Sequence, residues 1–161
     1  MSISYIDEDK PMGTAGPIRL AKQFLTETFI ACNADELKDI DLADMYISHK
    51  ENKGAATVAL TSVDDPSSYG VAKLQGNRIL EFVEKPKKEK APSNLINAGL
   101  YIMEPEVIDY IPLGYAMLEK DVFPKLASEG KLFGYPFSGQ WFDTGTLERY
   151  ERAIKEWKDL I

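Results

Sequence analysis

Residues 29–33 and 56–60 are short apolar runs without the polar–apolar alternation of a half-exposed strand. A strand that reads apolar throughout is one covered on both faces, as in a parallel sheet flanked by helices. Helical patterns precede and separate the two runs. Pro17 suits the first position of a helix opened by Gly13-Thr14-Ala15-Gly16, and Ile18, Ala21, Phe24 and Leu25 recur on one face of it. Leu42, Met45, Tyr46 and His49 stand at i, i+3, i+4 and i+7 in a second helix, with Gly54 in the place of a stop. Residues 2–6 read as a short strand ahead of both helices. This β-α-β-α-β order predicts an α/β fold with a mostly parallel sheet and an antiparallel insertion.

The insertion follows. Asp65-Pro66-Ser67-Ser68-Tyr69-Gly70 is a turn cluster, and residues 71–74 and 78–84 flank Gln75-Gly76-Asn77 as a hairpin. A basic loop bounded by Pro86 and Pro92 leads into a longer strand over 95–103. A helical turn at 105–111, a helix over 119–128 stopped by Gly130, and strands at 131–137 and 140–142 complete the middle. The tail is an amphipathic helix with Leu147, Tyr150, Ile154, Trp157 and Ile161 on one stripe.

A chain of 161 residues fits one domain, here 1–161. Its net charge of -7 argues against nucleic acid as a partner, because that affinity needs a basic face. Cys32 is the only cysteine, which excludes an internal disulfide and suits a reducing, cytoplasmic location; its place in an apolar run reads as inert core. No apolar run approaches the length of a membrane span.

Two aspartates follow apolar runs. Asp35 ends Thr28-Phe29-Ile30-Ala31-Cys32-Asn33-Ala34-Asp35, and Asp143 ends Gln140-Trp141-Phe142-Asp143 before Thr144-Gly145-Thr146. Carboxylates at the carboxyl ends of buried strands lie where open α/β sheets bind ligands. Two that converge can hold magnesium, which completes its shell with phosphate oxygens and water. Each also fits a plain role in organising the turn that follows it. Glu84 can accept hydrogen bonds from sugar hydroxyls and Lys85 can bind phosphate as a point charge, or the two form a surface salt bridge. Gly13 and Gly16 allow close backbone approach at a helix start, or mark a plain turn. Asn97 sits polar in an apolar strand beside Gly99 and must find partners. His49, at the end of an amphipathic helix, reads as solvated or half-buried rather than catalytic. No glycine-rich phosphate loop occurs in the chain.

Taken in order, these segments resemble the sugar-phosphate nucleotidyltransferases (nucleotide-sugar pyrophosphorylases), in particular the mannose-1-phosphate guanylyltransferases and glucose-1-phosphate thymidylyltransferases. Met12-Gly13-Thr14-Ala15-Gly16 resembles the family's base-binding segment, Asn33-Ala34-Asp35 its first metal segment and Trp141-Phe142-Asp143-Thr144-Gly145-Thr146 its second. Asp65–Val71, residues 82–86, Asn97-Ala98-Gly99-Leu100-Tyr101 and Glu119-Lys120-Asp121-Val122-Phe123-Pro124 resemble the others. The resemblance implies a Rossmann-like fold of the nucleotide-diphospho-sugar transferase type. It implies a reaction of a sugar 1-phosphate with a nucleoside triphosphate that forms an NDP-sugar and pyrophosphate with Mg2+. Asp35 and Asp143 would be the metal ligands, and Asp35, Lys85 and Asp143 the catalytic residues. Glu84 would hold sugar hydroxyls and Lys85 the sugar phosphate. Tyr69, Gly70, Asn97 and Gly99 would line the sugar pocket, and Gly13, Thr14 and Gly16 the base.

Two departures stand out. Ala34 replaces the usual glycine of the first metal segment. The family's opening strand and its glycine-rich, arginine-bearing loop are absent, roughly 70–80 residues at about 30 or more per βαβ unit. The expectation is therefore an N-terminally truncated, carboxyl-terminal part of the fold, incomplete as an isolated chain. Its exposed strand edge at 29–33 would favour a homo-oligomer or a complex with a chain supplying the missing part. The alternative is a non-catalytic sugar-phosphate-binding or assembly subunit derived from the same fold.

Overall fold

Nine residues, Leu95–Met103, form the longest strand of the computed structural model, which describes residues 2–158. All of that strand except Leu95 is buried. Along the described chain the strands are β1 (Phe29–Cys32), β2 (Glu36–Lys38), β3 (Ala56–Ser62), β4 (Gly70–Gln75), β5 (Arg78–Glu84), β6 (Leu95–Met103), β7 (Leu132–Pro136) and β8 (Trp141–Asp143). The α-helices are α1 (Gly16–Leu20), α2 (Leu42–Asn52), α3 (Phe123–Ser128) and α4 (Leu147–Glu156). Six strands make one sheet in the order β1-β6-β3-β7-β5-β4, and β4 folds back to touch β6 at Val71–Ile96. A separate antiparallel ribbon pairs β2 with β8.

The mixed α/β sheet with flanking helices is as expected, but the expectation of mostly parallel pairing is corrected. Among the described residues only β3–β7 runs parallel; β1–β6, β3–β6, β4–β5 and β5–β7 are antiparallel. The reason is connectivity. A two-residue turn at Gly76–Asn77 can return a strand only antiparallel. β6 then enters between β1 and β3 against the direction of both.

β3 is buried throughout except Ser62 and divides the core. On one face lie Val58, Leu60, Tyr101, Phe123 and Leu126, and on the other Met45, Ala59, Leu100 and Ile102. β1 departs from its sequence reading. Phe29 and Ala31 pack on the core, whereas Ile30 and Cys32 are exposed, so Cys32 is a surface thiol rather than inert core. β1 is the outermost strand of the sheet, and α2 covers the sheet at Met45 without reaching its outer face.

Other local readings also shift. Residues 2–6 form no strand. The short 119–128 helix is a π-turn, Leu118–Val122, running into α3. α2 is capped by the Asp41 carboxylate, which accepts from Ala43 and Asp44 N–H at 2.9 and 3.0 Å. Only Met45 and His49 of its apolar positions are buried; Leu42 and Tyr46 stay exposed. Its left-handed end is Lys53, at φ 53°, not Gly54, whose missing side chain makes room for the Phe133 ring. The stripe of α4 points outward, with Leu147, Tyr150 and Ile154 exposed and Ala153 buried; Ile161 lies outside the described residues. Among the described residues no helix is long and apolar enough to cross a membrane.

Two polar pairs are buried, one within β6 and one between α2 and β3. Tyr101 is 1% exposed, and its hydroxyl accepts from the Asn97 amide at 2.8 Å. Tyr101→Phe leaves that amide short of a partner and is expected to cost about 1–3 kcal/mol, read by urea unfolding; an unchanged midpoint would refute the pairing. His49 Nδ1 lies 2.8 Å from Thr57 Oγ1, and Nε2 lies 3.3 Å from Glu104 Oε1. Burial lowers the His49 pKa below the ordinary 6.5, against the raising pull of Glu104. The unfolded chain therefore takes up the proton first, and stability falls as pH drops from about 6.5 toward the lowered value. Thermal melts should show that loss in the wild type and a flatter profile in His49→Gln.

Candidate active site

The β2–β8 ribbon brings the two aspartates together. Glu36 pairs with Asp143, Leu37 with Phe142 and Lys38 with Trp141. Beyond the ribbon, Thr144 donates from N and Oγ1 to the Asp35 carbonyl, each at 2.8 Å. At the other end Asp39 N donates to the Gln140 carbonyl at 2.8 Å. Asp35 just before β2 and Asp143 at the end of β8 thus emerge side by side. A Cβ placed on Gly145 would lie 3.1 Å from Asp143 Oδ1 and 3.4 Å from Asp35 Oδ2, so both carboxylates reach one spot. Glycine leaves that spot open. Its N–H also donates to Asp143 Oδ1 at 2.8 Å. Asp143 Oδ2 takes the Arg149 guanidinium and lies 3.4 Å from the Tyr69 hydroxyl.

The pair opens onto a cleft of about 280 Å3. Of the eleven residues singled out in the sequence, eight line it: Thr14, Asp35, Tyr69, Gly70, Glu84, Lys85, Asn97 and Asp143. Gly13, Gly16 and Gly99 do not, and each has a packing reason to be glycine. Gly13 has φ +78°, and a Cβ would strike the Ala116 carbonyl oxygen at 2.3 Å. At Gly16 it would meet the Met12 side chain at 2.5 Å. At Gly99, φ +58°, it would lie 2.4 Å from Glu36 Oε1 and 2.6 Å from Asn33 Nδ2. Gly99 therefore lets the cleft floor settle onto β6.

That floor is a part-buried polar network. Trp141 Nε1 donates to Glu36 Oε2 at 2.9 Å, Asn33 Nδ2 to Oε1 at 3.2 Å, and Lys38 Nζ lies 3.3 Å from Oε2. The Tyr69 ring stands edge-on to Trp141, centroids 5.4 Å apart. On the opposite wall Thr14 Oγ1 donates to Glu119 Oε2 at 2.6 Å and accepts from Leu118 N at 2.9 Å. Burial, and then the charge of Glu119, push the Glu84 carboxyl above its ordinary range, against the pull of Lys85. Lys85 takes a left-handed backbone, φ 47°, and its side chain is largely exposed at the mouth with Nζ 3.8 Å from Glu84.

Sequence reasoning missed three charged residues of the cleft. Glu119 had a signal: it shares helical spacing with Val122, Phe123 and Leu126, which puts a carboxylate on a buried face. Glu36 had a weaker one, the alternation Glu36-Leu37-Lys38 of a half-buried strand. Arg149 had none, because it meets Asp143 only through the turn at Gly145.

The family profile described as nucleotidyl transferase matches residues 1–159, and the chain belongs to that family. Mannose-1-phosphate guanyltransferase beta-B of Xenopus laevis is 43% identical over 148 residues, 89% of this chain and 41% of that protein. A Bacillus anthracis structure assigned as a glucose-1-phosphate thymidylyltransferase, complexed with sucrose, superposes with a TM-score of 0.86 at 28% identity. That match covers 98% of this chain and 66% of the other. A UDP-glucose pyrophosphorylase complexed with UDP-glucose gives 0.81 at 26% identity, over 94% and 64%. The chain spans less than half the length of the curated relatives it matches.

Gly99→Ala tests the floor. A left-handed alanine whose Cβ collides with Glu36 is expected to cost on the order of 2 kcal/mol. It should also shift Trp141 fluorescence, since Glu36 holds the indole. Unchanged emission and stability would mean that β6 does not carry the floor.

Proposed function

We propose that this chain carries the metal and sugar-phosphate side of a nucleotidyl-transfer site. In that reaction an oxygen of a sugar 1-phosphate attacks the α-phosphorus of a nucleoside triphosphate. The bond to the β-phosphate breaks, pyrophosphate leaves, and an NDP-sugar forms. The observation that carries the reading is the convergence of Asp35 and Asp143 over Gly145, at the mouth of a cleft that also holds Glu84 and Lys85.

The donor set suits Mg2+. Among the described residues no group of three or more His, Cys, Asp or Glu side chains gathers as a cation cage. Mg2+ does not require one: it is typically held by one or two carboxylates and completed by phosphate oxygens and water. Asp35 and Asp143 would hold it, and when bound it neutralises charge developing on the phosphate. The rest of the work falls to the protein's own groups. Lys85, on a flexible stem at the mouth, meets the sugar phosphate. Glu84, pressed between burial and Glu119, accepts from sugar hydroxyls. Asn97 is held by Tyr101 and the Gly99 N–H and gives the sugar a fixed polar wall. Gly70 keeps β4 close to Phe82 and Glu84, where a side chain would fill the cleft. The outer edge of β1, paired with no strand among the described residues, supports further polypeptide beside this sheet, as an additional segment or a second chain.

The frog relative's name puts mannose 1-phosphate first among the sugar phosphates to test. With Mg2+ present and the ligand at a hundred times its Kd, the folded state should gain about 2.7 kcal/mol, read as a rise in Tm. Lys85→Ala should remove most of the gain, and Asp143→Asn its dependence on Mg2+. If no hexose 1-phosphate raises the Tm under these conditions, the proposal fails.

A further inference from the structure

Arg149 stands in the wall between two cavities. One is the cleft just described. The other, about 570 Å3, lies beyond Asp143 and shares Tyr69, Asp143 and Arg149 with it. Arg149 reaches this wall from the first turn of α4, where Thr146 Oγ1 accepts from its N–H at 3.3 Å. Its guanidinium donates through Nη1 to Asp143 Oδ2. Asp143 Oδ1 is already engaged by the Gly145 N–H, so Arg149 takes the other half of the carboxylate. Beside it, Asp35 points its own carboxylate at the same spot.

Two carboxylates turned toward one point repel, and Arg149 supplies a positive charge that relieves the repulsion. A divalent cation at that point, against Asp143 Oδ1 and Asp35 Oδ2, would neutralise the carboxylate whose other oxygen Arg149 holds, so the two compete for the charge of Asp143. A guanidinium carries five donors in a rigid fork, suited to carboxylate and phosphate alike. The Arg149 side chain is 43% exposed on a long stem, free to leave one acceptor for another. Arg152, one turn further along α4, is the less suitable cation: its Nε is tied to Glu156 at 2.9 Å and its guanidinium lies 5.8 Å from the Phe142 ring centroid.

We infer that Arg149 is an exchangeable counter-ion. It pairs with Asp143 until a divalent cation takes that carboxylate, and then passes to a phosphate oxygen of the sugar phosphate in the cleft. The inference rests on the metal-assisted reading above and assigns this chain a phosphate-positioning residue outside the segments singled out in its sequence.

Mn2+ binding followed by electron paramagnetic resonance separates the two ideas, using the purified chain and its Arg149→Ala, Arg149→Lys, Asp35→Asn and Asp143→Asn variants. Arg149→Ala should bind Mn2+ about three- to five-fold more tightly, the worth of a half-exposed ion pair. At saturating Mn2+ the same variant should bind mannose 1-phosphate on the order of ten-fold more weakly, the loss of one charge-assisted hydrogen bond. Arg149→Lys, which keeps the charge without the fork, should fall between. Weaker or unchanged Mn2+ binding in Arg149→Ala would show that Arg149 only props Asp143 and would overturn the exchange, as would unchanged sugar-phosphate affinity. Both aspartate variants should lose Mn2+. If the wild type and Arg149→Ala alike bind none, the metal reading falls and takes this inference with it. If Mn2+ binds through both aspartates but ignores Arg149, only the exchange falls.

Discussion

The three-residue ribbon between β2 and β8 is the constraint on which the site depends. Asp35 and Asp143 are more than a hundred positions apart, and neither sits in the six-stranded sheet. What joins them is a short antiparallel ladder lengthened at each end by one backbone bond, Asp39 to Gln140 and Thr144 to Asp35. Isolated two-stranded ribbons are marginal in water, so this one must be anchored. Trp141 and Ile40 pack into the core cluster of Met45, Ala59 and Ile102 on the α2 face. Glu36 and Lys38 stand on the same face as Trp141, beside Gly99 of β6, where Lys38 Nζ reaches the Gly99 carbonyl at 3.2 Å. The ribbon is thus held by an apolar and a polar anchor that meet at Trp141.

The polar anchor carries a cost. Glu36 and Lys38 side chains are only 12% and 10% exposed, and a buried ion pair often fails to recover its desolvation energy. It survives here because nearly every lone pair and proton has a further partner, Trp141, Asn33 or the Gly99 carbonyl. The return is orientation. A network with one way to satisfy itself holds the ribbon in a single register, and a slip of one residue would turn Asp143 away from Asp35.

The parts of this arrangement visible in the sequence were those set by local chemistry. The hairpin at Gly76, the β6 strand, the Pro17 helix start and the Gly130 stop all follow from turn residues and periodicity. Of the eight cleft residues, Asn97 interrupts an apolar run, Asp35, Glu84, Lys85 and Asp143 follow apolar runs, and Thr14, Tyr69 and Gly70 take their roles from the family resemblance. What failed depended on neighbours distant in sequence. Strand direction is not legible in an apolar run, which does not say which strand will flank it, and β6 inserts antiparallel. Cys32 was misread because burial of β1 depends on a covering layer that α2 does not extend to it. Gly13, Gly16 and Gly99 were seen as special for a sound reason, close approach, but what approaches is this chain's own backbone and side chains.

The charge of the cleft gives this geometry its chemical direction. Asp35, Glu36, Glu84, Glu119 and Asp143 face Lys85 and Arg149, five carboxylates against two cations. Thr14 donates to Glu119 and Lys38 pairs with Glu36, but Glu84 remains pushed upward by burial and then by the charge of Glu119. A bare phosphate entering such a space meets repulsion that one lysine at the rim does not offset. An acidic chain with a net charge of -7 offers no long-range attraction either. On the function proposed above, phosphate and divalent cation would bind this cleft together, each lowering the electrostatic cost of the other, and Glu84 would accept from the sugar hydroxyls. The carboxylate excess that would exclude an anion alone would then select an anion accompanied by metal.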